Sequence, residues 1–304
     1  MTRSGILTGL VERLTLLAAV AAVIAALVVG APLDAAKKKR KPTKKKGPEA
    51  TAVPRPADPY RVTLATDDGV SLAATWRPVP GQPDAPAVLL IHDFSRDRRQ
   101  WEPLAADFLA RGLATLAIDL RAHGESLRKA GTAAPLHLSP TLQTRPNAFP
   151  RDVEAACKWL REKTPKVGVM GLSLGGNLAV LATASAWADT AVVVSANIAK
   201  LGLLAGGRPT KPRATLVLAS DRDPGRADSA KVLDATGEAP KRTTVYSGAS
   251  HSLGLLNDHA DAKEAALAWL AERLGATPHT PPTPAPAPPP EAPPTPTPTA
   301  PPAP

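Results

Sequence analysis

The segment Val167-Gly-Val-Met-Gly-Leu-Ser-Leu-Gly-Gly176 places a serine between two glycines, as Gly171-Leu172-Ser173-Leu174-Gly175, directly after an apolar run and before a helical pattern. A sharp strand-to-helix turn strains the backbone of its central residue, and only small flanking residues let neighbouring segments come close. Such a turn lifts a serine oxygen above the sheet edge, near the positive end of the helix. A serine hydroxyl is a weak nucleophile unless a base, itself held by an acid, takes its proton. The base with the right setting is His251, in Ser247-Gly-Ala-Ser-His-Ser-Leu253, on a small-residue loop between the last apolar run and the final helical pattern. His92, His123, His137, His259 and His279 fit less well, lying in loop motifs, an insertion, a helix start and the C-terminal tail. The acid is Asp221 or Asp223, in the turn that ends Ala214-Thr-Leu-Val-Leu-Ala-Ser-Asp-Arg-Asp-Pro224. The backbone N–H of Leu174, at the helix start, is placed to receive the negative charge that develops on an attacked carbonyl.

Two further segments extend the pattern. Asp119-Leu-Arg-Ala-His-Gly-Glu-Ser126 is similar to a D-x-R-G-H-G-x-S loop, with Ala122 in the glycine position, and Ile91-His92-Asp93-Phe94 follows the third strand-like run. With the Gly171–Gly175 turn, these segments resemble the α/β-hydrolase superfamily over about residues 60–275. The resemblance implies the chain order Ser, acid, His, which selects Asp223 over Asp221 and leaves Ser173, Asp223 and His251 as the expected catalytic set. It also implies that Phe94 supplies a second oxyanion N–H beside Leu174. Asp93 departs from the pattern, where glycine is common. A carboxylate aimed at a developing oxyanion would oppose it, so its side chain is expected to point away, toward Arg96, Arg98 or Arg99.

The elements that must position these residues are legible as apolar runs. Residues 60–65 and 71–76 suggest a hairpin around Asp67-Asp68-Gly69. Runs at 87–91, 113–118, 167–170, 191–194, 215–218 and 243–246 lack polar alternation, as strands buried on both faces do. Helical spacing recurs at 101–109, across Val153, Ala156, Cys157 and Leu160, and at 178–186, 227–235 and 260–274. The expected fold is α/β: an α/β-hydrolase fold with a mostly parallel central sheet flanked by helices and a minimal cap. Only about 20 residues, 195–213, join the sixth and seventh core runs, too few for a multi-helix lid, and the insertion at 127–150 is expected to rim the pocket.

Composition bounds the rest. Of 304 residues, 15 of the 35 prolines fall in positions 277–304, and eight of the ten residues between Lys37 and Lys46 are Lys or Arg. Neither stretch can bury enough apolar surface to fold. The expected organisation is a signal peptide or membrane anchor at 1–36, a Lys/Pro-rich linker at 37–58, the catalytic domain at 59–276 and a Pro-rich tail at 277–304. Residues 14–29 carry no charge and Arg3 and Arg13 precede them. Export to the cell envelope or membrane anchoring is expected, with the alternative that the basic run holds the domain on the cytoplasmic side. The basic run could then touch anionic envelope polymer or lipid. Most of the net charge of +10 sits in that arm and aromatics are 3%, which argues against a nucleic-acid-binding fold. The single cysteine excludes an intrachain disulfide and a Cys-rich zinc site, and Cys157 is expected to be buried in a helix. No metal or cofactor is implied.

The activity expected is hydrolysis of small-molecule carboxylic esters through an acyl-enzyme. Amide or thioester cleavage on the same fold is the alternative, and a silent envelope-binding module is the other class. An epoxide-hydrolase or dehalogenase chemistry would need Asp where Ser173 stands.

Overall fold

A computed structural model of the chain describes residues 58–139, 142 and 146–279. The expectations for residues 1–57, the Lys37–Lys46 run and the tail beyond residue 279 lie outside the described residues. Among the described residues, no helix is long and apolar enough to cross a membrane.

The chain opens with a hairpin, β1 (Arg61–Ala65) and β2 (Val70–Arg77). There follow β3 (Ala87–Ile91), a 3-10 turn (Arg98–Leu104), α1 (Ala105–Ala110), β4 (Ala114–Ile118) and the two-residue β5 (Arg128–Lys129). The second half runs α2 (Phe149–Arg161), β6 (Val167–Leu172), α3 (Leu174–Ala184), β7 (Thr190–Val194), α4 (Ile198–Leu204) and β8 (Arg213–Ser220). It closes with α5 (Arg226–Thr236), β9 (Glu238–Tyr246), α6 (Leu253–Asp258) and α7 (Ala260–Leu274).

The sheet order is β1-β2-β4-β3-β6-β7-β8-β9, with β5 paired to β2. Strands β1, β2 and β5 pair antiparallel and the rest of the sheet is parallel. Parallel strands need crossovers, and helices supply them on both faces. In β3, Leu89 and Ile91 pack into a core shared with α2, α3, α4 and α5, while Val88 and Leu90 face a second core built with Trp101, Phe108 and α7. Both faces of these strands are buried, which is why they lack polar alternation. Each fully buried aliphatic side chain contributes about 1.5–3 kcal/mol.

The connection between β7 and β8 holds only the seven-residue α4, so this connection forms no multi-helix lid. In the insertion, Leu136, Leu138 and Leu142 pack against the first core, and α2 begins within it at Phe149. After α7 the chain returns to α1, where the His279 N–H donates to the Ala110 carbonyl at 3.2 Å.

Candidate active site

Ser173 joins β6 to α3 at φ 52° and ψ −103°, outside the regions an L-residue ordinarily occupies. The two flanking glycines explain how the turn closes. A Cβ on Gly171 would lie 1.9 Å from the Gly175 carbonyl oxygen, and one on Gly175 would lie 2.2 Å from the Ile91 carbonyl oxygen. The Ser173 N–H donates to the Val194 carbonyl at 2.8 Å, tying the turn to the end of β7. Its Oγ has no hydrogen-bond partner among the described residues. Leu174 is the first residue of α3, so its N–H has no acceptor within the helix. The Phe94 N–H is also without an acceptor among the described residues.

Asp223 and His251 are brought together. His251 Nδ1 lies 2.6 Å from Asp223 Oδ2, with the carboxylate side chain 7% exposed and the imidazole 38% exposed. A carboxylate only accepts, so Nδ1 carries the proton, and in the neutral imidazole Nε2 is left to accept. Asp221 is occupied elsewhere: its Oδ1 accepts from the Gly248 N–H at 2.8 Å. The His251 loop is fastened on three sides. Ser220 Oγ on β8 donates to the Ser250 carbonyl at 2.6 Å. The Ser252 N–H donates to Ser195 Oγ at 3.0 Å, just past β7. Ser252 Oγ donates to Asp93 Oδ2 at 2.9 Å, just past β3.

That last contact corrects the expectation for Asp93. None of Arg96, Arg98 and Arg99 engages its carboxylate. It accepts instead from Gln100 Nε2, from Ser252 Oγ, and from the N–H and Oγ of Ser95. Burial raises the Asp93 pKa, but these hydrogen bonds together outweigh it and hold the group below the ordinary aspartate value. Arg98 is committed to Asp119 and to Glu125, and Arg99 faces Asp97.

The Asp119–Ser126 loop braces the segment that carries Phe94. Asp119 accepts from the Arg98 N–H at 2.7 Å and from its guanidinium. His123 Nε2 lies 2.8 Å from the Phe94 carbonyl. Arg121 pairs with Asp152 and Asp68, fixing the loop to α2 and to the β1–β2 turn. His92 is fully buried: its Nδ1–H donates to the Asp93 carbonyl and its Nε2 accepts from the Leu120 N–H. Burial pushes its pKa down to about 4.

Two cavities meet at Phe94, which lines both. One, of about 1030 Å³, is open and includes His251, Ser252, Asn257 and His123. The other, of about 290 Å³, includes Ser173, Leu174, Asn177, Lys200 and Arg226. The sequence reading found neither Lys200 and Arg226 nor the Asp93–Ser252 link. The first pair meets only when α4 and α5 pack together, and the second joins positions 159 apart in the chain. Among the described residues, no cluster of His, Cys, Asp or Glu could hold a metal ion.

Comparison with known proteins agrees with this architecture. A segment of 48 residues is 46% identical to 2-succinyl-6-hydroxy-2,4-cyclohexadiene-1-carboxylate synthase from Salmonella paratyphi B, covering 16% of this chain and only 18% of that enzyme. Among solved structures, an esterase from Pyrococcus furiosus superposes with a TM-score of 0.54 at 19% identity, over 70% of this chain and 90% of the other. Dienelactone hydrolase from Anabaena variabilis superposes with a TM-score of 0.53 at 22% identity, over 71% and 97%. At such identities the structures show a common fold. The model of the alpha/beta hydrolase family matches residues 88–300, more than two thirds of the chain, and the protein belongs to that family.

Proposed function

We propose that this protein is a serine hydrolase that cleaves carboxylic esters of small molecules through Ser173, His251 and Asp223. The observation that carries the reading is the 2.6 Å Asp223–His251 pair, which leaves Nε2 as a free base at the same strand ends as the strained Ser173 turn. His251 Nε2 takes the Ser173 proton as Oγ attacks the ester carbonyl carbon. The carbonyl oxygen becomes an oxyanion, received by the N–H groups of Leu174 and Phe94. The C–O bond to the alcohol then breaks, and the imidazolium gives its proton to the departing alkoxide. Water, deprotonated by the same Nε2, attacks the acyl-enzyme, and the acid leaves as Ser173 regains its proton. Asp223 holds the imidazole in the required tautomer and stabilises its charged form. One lost oxyanion donor typically costs ~3 kcal/mol in the barrier.

The test uses the full-length chain. Labelling by a fluorophosphonate probe and turnover of short-chain p-nitrophenyl esters are measured for wild type and for Ser173→Ala, Asp223→Asn and His251→Ala. Both signals are expected in wild type and absent in Ser173→Ala. Faster turnover of thioester or anilide analogues would assign the amide or thioester alternative. Folded wild-type protein that neither labels nor turns over any of them would overturn the hydrolase reading in favour of a binding module. The apolar segment at 14–29 and the basic run from Lys37 support export or membrane attachment as the setting for this activity.

A further inference from the structure

Lys200 and Arg226 line the same 290 Å³ cavity as Ser173, and among the described residues no aspartate or glutamate lines it. Neither cation has an ion-pair partner among the described residues. Arg226 is only partly matched by the protein. Its Nη1 donates to the Pro224 carbonyl at 3.2 Å, its Nη2 has no partner, and its Nε is sealed from solvent with no acceptor. The neighbouring Asp228 pairs with Lys231 and not with Arg226. The backbone that carries each cation is fixed. Asn197 Oδ1 accepts from the Lys200 N–H at 3.1 Å, the Arg226 N–H donates to the Asp223 carbonyl at 3.0 Å, and Ser229 Oγ accepts from the Ile198 N–H, joining α4 to α5. Two like charges beside an apolar wall of Phe149, Leu174 and Leu204 repel each other unless a bound anion answers them.

The two cavities also divide the substrate. The departing alcohol must receive its proton from His251, and His251 lines the large open cavity. The acyl portion, bonded to Ser173 and held at Leu174, then occupies the small one. We propose that Lys200 and Arg226 form a carboxylate-binding subsite, and that the substrates are half-esters of short dicarboxylic acids whose free carboxylate lies a few atoms from the scissile carbonyl. This rests on the hydrolase reading above for the assignment of the acyl side.

The experiment pairs monobenzyl succinate with benzyl levulinate, in which a methyl group replaces the charged oxygen at the same chain length. Hydrolysis by the full-length protein is followed by chromatography in wild type, Lys200→Gln, Arg226→Gln and the double variant. Lys200 is exposed, so its variant tests the subsite without disturbing packing. The ratio of kcat/KM for the acidic ester over the neutral one is expected to exceed thirtyfold in wild type and to fall at least tenfold in each single variant. In parallel, full-length Ser173→Ala is titrated with monomethyl succinate and methyl levulinate. Its Tm is expected to rise with the acid alone, and not once Lys200→Gln and Arg226→Gln are added. Turnover with a ratio near one overturns the subsite and leaves the hydrolase standing. A Tm rise specific to the acid with no turnover in wild type keeps the subsite and overturns the hydrolase. Neither turnover nor a Tm rise overturns both.

Discussion

Ser252 Oγ donates to Asp93 Oδ2 at 2.9 Å, and this contact joins the loop that carries His251 to the loop that carries Phe94. The Asp93 carboxylate is filled by four hydrogen bonds. It therefore acts as a clamp between the base and one oxyanion donor, through their neighbours in sequence. Asp93→Ala should lower kcat/KM about 10–100-fold and slow fluorophosphonate labelling in step, while Ser252→Ala should do the same to a lesser degree. A hydrogen bond to a charged group is worth about 1.5–3 kcal/mol, so a double-mutant cycle should show coupling of about 1 kcal/mol or more. Additive effects would show that the two residues act independently.

Ala122 sits at φ 62° in the Asp119–Ser126 loop, where its N–H donates to the Ser126 carbonyl. A left-handed conformation costs an L-residue about 1–2 kcal/mol. Glycine removes that cost and returns part of it as greater freedom of the unfolded chain, about 0.4–1 kcal/mol. Ala122→Gly should therefore stabilise by about 0.5–1 kcal/mol and raise Tm by about 1–4 °C. A lower Tm would mean that the Ala122 methyl contributes packing that outweighs the strain.

The Gly171 and Gly175 positions test the turn itself. A Cβ at either position would overlap a backbone oxygen, and backbone cannot rotate aside as a side chain can. Gly175→Ala should abolish fluorophosphonate labelling and destabilise by several kcal/mol, beyond the usual range for one methyl group. Circular dichroism melting and probe labelling of the same sample check this. Wild-type labelling in Gly175→Ala would mean that the strand–helix turn can relax without displacing Ser173.

Much of the fold was legible because burial on both faces leaves a simple trace. The runs at 87–91, 167–170 and 191–194 are unbroken because Val88 and Leu89 face different cores. Strand β9 shows the limit. It begins at Glu238, but its first five residues are exposed on the sheet edge and carry no apolar signal, so only 243–246 reads as a strand. Helix α3 starts at Leu174 rather than 178, because Gly175 and Gly176 are chosen for close approach and disguise the helix start. In the site, the serine turn and the Asp223–His251 pair leave local signatures. The hydroxyls of Ser195, Ser220 and Ser252 leave none, because each meets a partner that only the folded sheet brings near.

His92 gives the molecule a pH dependence whose sign is fixed by burial. Desolvation is the largest influence on its pKa and His123 adds to it, while the Asp93 carbonyl and the carboxylates of Asp119 and Asp93 work in the other direction. The folded value near 4 lies below the ordinary 6.5, so on acidification the unfolded chain takes up this proton first. The contribution is unchanged above pH 6.5 and destabilises progressively as pH falls toward 4, approaching about 3 kcal/mol. Denaturant melts of wild type and His92→Asn between pH 7 and 4 should show a smaller pH slope in the variant, even though its stability at pH 7 is lower. Equal slopes would assign the acid sensitivity to the carboxylates alone.

Cys157 reports on the opening of the core. It lies on α2, 1% exposed, and burial pushes its thiol up to about 12. The thiolate is the reactive form, so at pH 8 the folded protein should be inert to a disulfide reagent or iodoacetamide. Addition of denaturant should release one reactive thiol per chain, because Cys157 is the only cysteine. Below the unfolding transition, slow labelling should follow the population of open molecules, and a destabilising substitution such as Gly175→Ala should accelerate it. Rapid stoichiometric labelling of the folded wild type would place α2 outside the packed core and contradict its burial against β3 and β6.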